Sequence, residues 1–259
     1  MANDPGGEVA RAGSGQNSTW SHAPKMLVFP VHRVDIWKID LNRATPANPG
    51  ASVLSADEQE RAARFHFEKD RIHFTRCRSA LRNLLAVYLT VPPDEIHFEY
   101  QANGKPQLAV AQNPNALQFN VSHAGGLALI AIGSEYKLGI DIETTRRDID
   151  AEALAERFFS IRERAGLSSL SKDLRVRGFF ACWTRKEAFL KAMGTGLSFP
   201  LADFSVTTHP DLSPELEELE GDFEAGKQWL LRDLGVGEEH HATVATEHPQ
   251  ARIETYLWG

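Results

Sequence analysis

The chain has 259 residues, 42% of them hydrophobic and 24% charged, with a formal net charge of −7. That length holds one large domain or two small ones, and an acidic balance does not suggest a nucleic-acid coat. No run reaches the roughly 18 apolar residues of a membrane helix, the N-terminus has no apolar signal core, and Cys77 and Cys182 are too few for a disulfide framework. A cytoplasmic protein without nucleic-acid or membrane partners is expected, and ten histidines without HExxH or CxxH spacing argue against zinc.

Residues 1–23, rich in Gly, Ala, Ser and Asn, read as a disordered extension. The strand-like run 31–41 (VHRVDIWKIDL) precedes a turn-rich segment, NRATPANPGAS. Ser55 as N-cap and Glu58 three residues later form a capping box that opens a long helical region to about Leu89. Its apolar positions 74, 77, 81, 84, 85 and 88 make a helical stripe, and Val91-Pro92-Pro93 stops it. Strands are predicted at 95–100, PQLAV, 117–123, 127–133 and 138–143, with a turn at Asn103-Gly104. A helix at 151–159 and a longer one at 174–193 follow, then strands at DFSVTT, KQWLLRDL, ATVATE and IETYLW. The acidic segment 209–226 reads as a loop or short exposed helix. Helix-then-strands order points to α+β, and its recurrence after Glu143 suggests a tandem of two similar halves, 24–134 and 135–259.

Four short stretches carry candidate chemistry. In GIDIE, residues two apart share a strand face, so Ile140 and Ile142 point to a core while Asp141 and Glu143 point the other way. Taken alone such a pair is ordinary solvated strand. In WTRKEAFLK, Glu187 and Lys191 continue at four-residue steps from Trp183. A buried unpaired carboxylate there would cost several kcal/mol; a Glu-to-Lys pair one turn apart is also a bland helix pair. Three carboxylates converging would suit a hard cation such as Mg²⁺, whose remaining ligands are commonly phosphate oxygens. Lys105 sits at the edge of the NGKP turn, and Ser122-His123 end a strand backed by small residues; a plain hairpin turn and a plain strand end are the alternatives. No acidic third member makes Ser122 and His123 a nucleophilic triad.

Taken together and in order, NGKPQL, FNVSHAGG, GIDIE and WTRKEAFLK resemble the signature motifs of the Sfp-type 4′-phosphopantetheinyl transferases, with RFFS (157–160) and the earlier RFHFEKDRIHFTRCRSALR in register. The resemblance runs from about Ser55 to Val206. It implies transfer of the phosphopantetheine arm of coenzyme A to a serine of an acyl or peptidyl carrier protein, releasing adenosine 3′,5′-bisphosphate. It also implies a pseudo-twofold pair of α+β halves with coenzyme A in the cleft between them, in a single chain acting as a monomer. By resemblance, Asp141, Glu143 and Glu187 hold Mg²⁺, with Asp141, Glu187 and Lys191 catalytic. Arg61, Lys105, Ser122, His123, Lys186 and Lys191 contact coenzyme A, Arg61 at its 3′-phosphate end, and Glu163 lies near the metal or Lys186. Thr184 stands where many members have Ser, and Glu58 and Gln59 where some carry basic residues. A non-catalytic coenzyme A or nucleotide-binding module and a Mg²⁺-dependent phosphohydrolase are the competing functions. Arg162, Arg164 and Lys172 are candidates for a positive patch facing an acidic carrier.

Overall fold

A computed structural model describes residues 19–24, 26–44, 51–101, 104–146, 148–196 and 199–259. Most of the expected extension, part of the turn-rich segment and Asn103 lie outside the described residues. Two copies of one unit account for most of the rest. In the first, strand β2 (Arg33–Asp40; β1, Ser21–His22, precedes it) leads to a short helix, α1 (Ala56–Ala63), and a 22-residue helix, α2 (Glu68–Leu89). A hairpin of β3 (Phe98–Tyr100) and β4 (Pro106–Leu108) follows, then β5 (Leu117–Ala124) and β6 (Leu127–Ser134). The second copy runs from β7 (Leu138–Thr144) through α3 (Ala151–Phe158), α4 (Ile161–Ser169) and the 22-residue α5 (Lys172–Met193). It continues in a hairpin of β8 (Phe204–Val206) and β9 (Leu216–Leu219), then β10 (Leu230–Asp233) and β11 (His240–Thr246). The antiparallel order β2-β6-β5 is repeated as β7-β11-β10. The last strand, β12 (Arg252–Trp258), returns to the first sheet and pairs in parallel with β2, and β1 pairs in parallel with β12.

The repeat extends to a buried ion pair. Ser55–Glu58 and Ser160–Glu163 are both capping boxes, opening α1 and α4. Both glutamates are buried, Glu58 against the guanidinium of Arg82 at 2.6 Å and Glu163 against the ammonium of Lys186 at 2.6 Å. Arg82 and Lys186 are each the fifteenth residue of a 22-residue helix. This pair fixes the register of the two halves.

Three apolar clusters stack the elements in layers. Helix α2 packs on the first sheet through Leu81, Leu84, Trp37, Ile39 and Ile130. The other face of that sheet meets β7 and β11 through Val34, Ile36, Leu129, Ile140, Ile142 and Val244. Helix α5 covers the outer face of the second sheet through Phe180, Phe189, Phe204 and Leu231. The order is therefore helix, sheet, sheet, helix, an α+β tandem as expected.

Four elements differ from the sequence reading. The helix from Ser55 is interrupted between Ala63 and Glu68. Helix α4 falls where no separate helix was predicted, although Ser160 and Glu163 spell the same capping box that marked α1. The acidic segment 209–226 contains strand β9, paired with β8. Ser21 and His22, assigned to the extension, add to the edge of β12.

Candidate active site

The edges of the two sheets meet at β5 and β7, and side chains replace a backbone ladder there. The amide oxygen of Asn120 accepts from Ile140 N–H at 2.9 Å, and the Ser122 hydroxyl accepts from Ile142 N–H at 3.3 Å. Because β7 alternates, Ile140 and Ile142 fill the layer between the sheets while Gly139, Asp141 and Glu143 face α5. Gly139 lets the helix come close. A Cβ at this position would lie 2.1 Å from the Ala188 carbonyl oxygen and 2.4 Å from Ala192 N. The strand thus touches helix backbone directly, and this contact brings Glu187 and Lys191 to the carboxylates of β7.

From Gly178 to Ala192, α5 is buried at every position except Trp183, Glu187 and Lys191, which are half-buried. Those three, four residues apart, are one open stripe on an otherwise enclosed helix. Lys191 Nζ donates to Asp141 Oδ1 at 2.6 Å and to the Ser122 hydroxyl at 3.0 Å, and that hydroxyl also donates to Asp141 Oδ1 at 3.0 Å. Asp141 is buried, and its Oδ2 has no hydrogen-bond partner. Burial, reinforced by the charge of Asp141, pushes the carboxyls of Glu143 and Glu187 above the usual carboxylate range, and Lys191 pulls both back. Arg146 and a hydrogen bond from the Trp183 indole also hold Glu143 down. Mutual repulsion of this kind means that the three acids share one electrostatic neighbourhood. Among the described residues, though, no group of three or more His, Cys, Asp or Glu side chains is arranged as a ready metal-binding set; Lys191 stands on Asp141.

His123, next along β5 from Ser122, is open to solvent on one side, and partial desolvation by the surrounding protein and the charge of Lys191 lower its pKa. Lys105 lies on the loop before β4 and is half-buried, its ammonium donating to the carbonyls of Lys191 at 2.6 Å and Leu138 at 3.2 Å. Arg61 remains exposed on α1 with its guanidinium over the Phe74 ring, and it makes no hydrogen bond or ion pair with the carboxylate cluster.

Lys186, expected to contact coenzyme A, lies apart from the open stripe. Its side chain is fully buried, donating to both Glu163 oxygens at 2.6 and 2.8 Å and to the Phe204 carbonyl at 2.7 Å. Three acceptors match its three protons. Arg162 and Arg164 pair with Glu217 and Glu156, so they do not form the free positive patch expected of them. Gly139 and Asn120 were not singled out in the sequence, although a glycine inside a strand is a signal of close backbone approach. A hollow of about 1840 Å³ lies by the first half of α5, lined by Val176, Arg177, Thr184, Trp229 and Asp233 among others. It includes none of the three carboxylates. Volume and chemistry part company here.

Two halves of one repeated unit gather three acids and a lysine where their sheets meet. The profile of the 4′-phosphopantetheinyl transferase superfamily matches residues 137–245, and that of the N-terminal part of 4′-phosphopantetheinyl transferase matches residues 46–135. The 4′-phosphopantetheinyl transferase HetI of Nostoc sp. is 40% identical over 228 residues, covering 88% of this chain and 93% of its own. Sfp of Bacillus subtilis is 36% identical over 167 residues, 64% of this chain and 71% of its own. The chain belongs to the 4′-phosphopantetheinyl transferase superfamily. These transferases use coenzyme A to modify carrier proteins. Among the described residues no helix is long and apolar enough to cross a membrane.

Proposed function

We propose that the open stripe of α5 and the facing side of β7 are the reaction centre, with Glu187 as general base and Lys191 as the cation on the phosphates. The observation that carries this is the convergence of Lys191, Asp141 and Ser122 beside two carboxyls whose pKa values are raised. In the reaction, a carrier serine oxygen bonds to the β-phosphorus of coenzyme A while the bond to the adenosine bisphosphate oxygen breaks. The serine proton passes to Glu187, the carboxylate on the open stripe one turn from Lys191. Lys191 releases Asp141 and donates to phosphate oxygens, where it offsets charge on the leaving group. Ser122 and His123 line the route to the first half, and Arg61 is assigned to the far phosphate.

The donor set fits Mg²⁺. Asp141, Glu143 and Glu187 offer carboxylate oxygens only, Asp141 Oδ2 lacks a partner, and a divalent cation would relieve the repulsion that raises Glu143 and Glu187. When bound, the ion supplies charge neutralisation and orientation of the diphosphate. Both halves of one chain contribute to the site, which supports a monomer. The free cysteines Cys77 and Cys182 accord with a reducing, cytoplasmic setting.

The test is Glu187→Gln assayed with coenzyme A, Mg²⁺ and a panel of apo acyl and peptidyl carriers, reading the carrier's mass gain. Turnover is expected to fall by about 10²–10⁴-fold with the melting curve unchanged. Near-normal turnover in that variant would remove Glu187 from the role of base, and the panel identifies the carrier class.

A further inference from the structure

Lys105 reaches across from the first half to the second, where two backbone carbonyls accept from its ammonium. One, Lys191 O, belongs to the last turn of α5, where carbonyls run out of intrahelical partners. The other, Leu138 O, opens β7. The two carbonyls come within reach of one ammonium because Gly139, the next residue, admits the helix backbone at this spot. A cation at a helix C-terminus is also favoured by the helix dipole. The Lys191 side chain leaves the same residue whose carbonyl Lys105 holds, and it ends on Asp141 and Ser122.

We infer that Lys105 is a positioning residue: its ammonium ties the last turn of α5 and the start of β7 to the first half, and so aims the Lys191 side chain at the reaction centre. This rests on the assignment of Lys191 to the phosphates. It differs from a direct contact with coenzyme A, which would show in affinity. A bond to backbone carbonyls acts instead on where the helix end stands. Burial lowers the pKa of Lys105 to about 8, with the charge of Lys191 adding to the effect, as befits an ammonium enclosed in the protein.

The experiment is a double-mutant cycle of Lys105→Met and Lys191→Ala in the full chain, with kcat for carrier modification, coenzyme A affinity by calorimetry and a thermal melt for each variant. Lys105→Met is expected to lower kcat by about 10²-fold, the scale of a misplacement near 1 Å. Coenzyme A affinity should change by less than about twofold, and the kcat loss should nearly vanish in the Lys191→Ala background, since residues acting as a unit are not additive. Lys105→Gln keeps an N–H donor without the charge, so it should be more active than Lys105→Met at equal affinity, and it serves if the methionine variant folds poorly. Weaker coenzyme A binding with kcat intact, or losses that simply add, would overturn the positioning role. Full activity in Lys191→Ala alone would instead overturn the assignment beneath it.

Discussion

Gly139→Ala puts the close approach of α5 to β7 to the test. The new Cβ would stand 2.1 Å from the Ala188 carbonyl oxygen, 2.4 Å from Ala192 N and 2.9 Å from the Lys191 carbonyl carbon, where ordinary contact begins at 3.4 Å. The Ala188 oxygen must therefore retreat by about 1.3 Å (3.4 − 2.1). All three atoms are helix backbone, so no side chain can swing away to make room. Moving α5 carries Glu187 and Lys191 with it, and the 2.6 Å bond from Lys191 to Asp141 is pulled beyond hydrogen-bonding range. Overpacking of this kind costs about 1–3 kcal/mol of stability, and a displacement near 1 Å at reacting groups costs about 10²-fold in rate. The assay is kcat for carrier modification alongside urea melts, with Gly133→Ala as the control. The Cβ added at Gly133 meets nothing nearer than 3.5 Å, so that variant should keep its rate and stability. A Gly139→Ala enzyme with unaltered kcat and unaltered melt would refute the reasoning that helix–strand contact sets the site.

Lys186→Met should destabilise by about 3–5 kcal/mol, because it leaves the buried Glu163 carboxylate without its cation; urea melts measure this, and a loss of coenzyme A affinity at normal stability would contradict the structural role. Arg82→Met, its counterpart in the first half, should cost less, because Arg78 stands 3.5 Å from Glu58 as a second cation. His241, stacked on Phe180, has its pKa lowered to about 4, first by burial. The folded state thus binds fewer protons than the unfolded one between about pH 4 and 6.5, and stability falls as pH drops through that window. His241→Gln should flatten that acid limb in melts taken from pH 7 to 4, and an unchanged slope would exclude the ring as its source. Mg²⁺ should raise the melting temperature of the wild type by binding the folded state, and Asp141→Ala should abolish the rise; equal shifts in both proteins would place the ion elsewhere.

What could be read from the sequence was whatever depends on local period. Strand alternation separated Ile140 and Ile142 from Asp141 and Glu143, and the four-residue step aligned Trp183, Glu187 and Lys191; both hold in the fold. What could not be read depends on which neighbour a side chain meets. Lys186 and Lys191 look alike along the chain, yet one lies 100% inside a core on Glu163 and the other on an open stripe. The same capping-box pattern opens α1 at Ser55 and α4 at Ser160. That its glutamate meets a cation of the next long helix, Arg82 in one half and Lys186 in the other, is a long-range match no local period reveals. The partner of β12 is likewise a long-range choice. Its alternation fits any half-buried edge, and the topology selects β2.

The repeat also bears on whether the carboxylates serve structure or chemistry. On β2, the side chains turned toward α2 include Trp37 and Ile39, both fully enclosed in apolar packing. On β7, the equivalent side toward α5 carries Asp141 and Glu143. The same strand–helix unit is therefore stable with large apolar groups at this layer, and it gains nothing in packing from acids. Burying charge there costs free energy, only partly offset by Lys191 and Ser122. Asp35 on the same face of β2 is also buried, but it is one acid held by Arg33 and the Tyr88 hydroxyl. Strand β7 and α5 instead crowd three acids around Lys191, and that excess calls for a reason outside folding. The reaction proposed for the meeting of the two sheets would supply it. Lys105 and Ser122 come from the first half, and Asp141, Glu187 and Lys191 from the second. Neither copy alone could assemble the site, so the activity belongs to the pair.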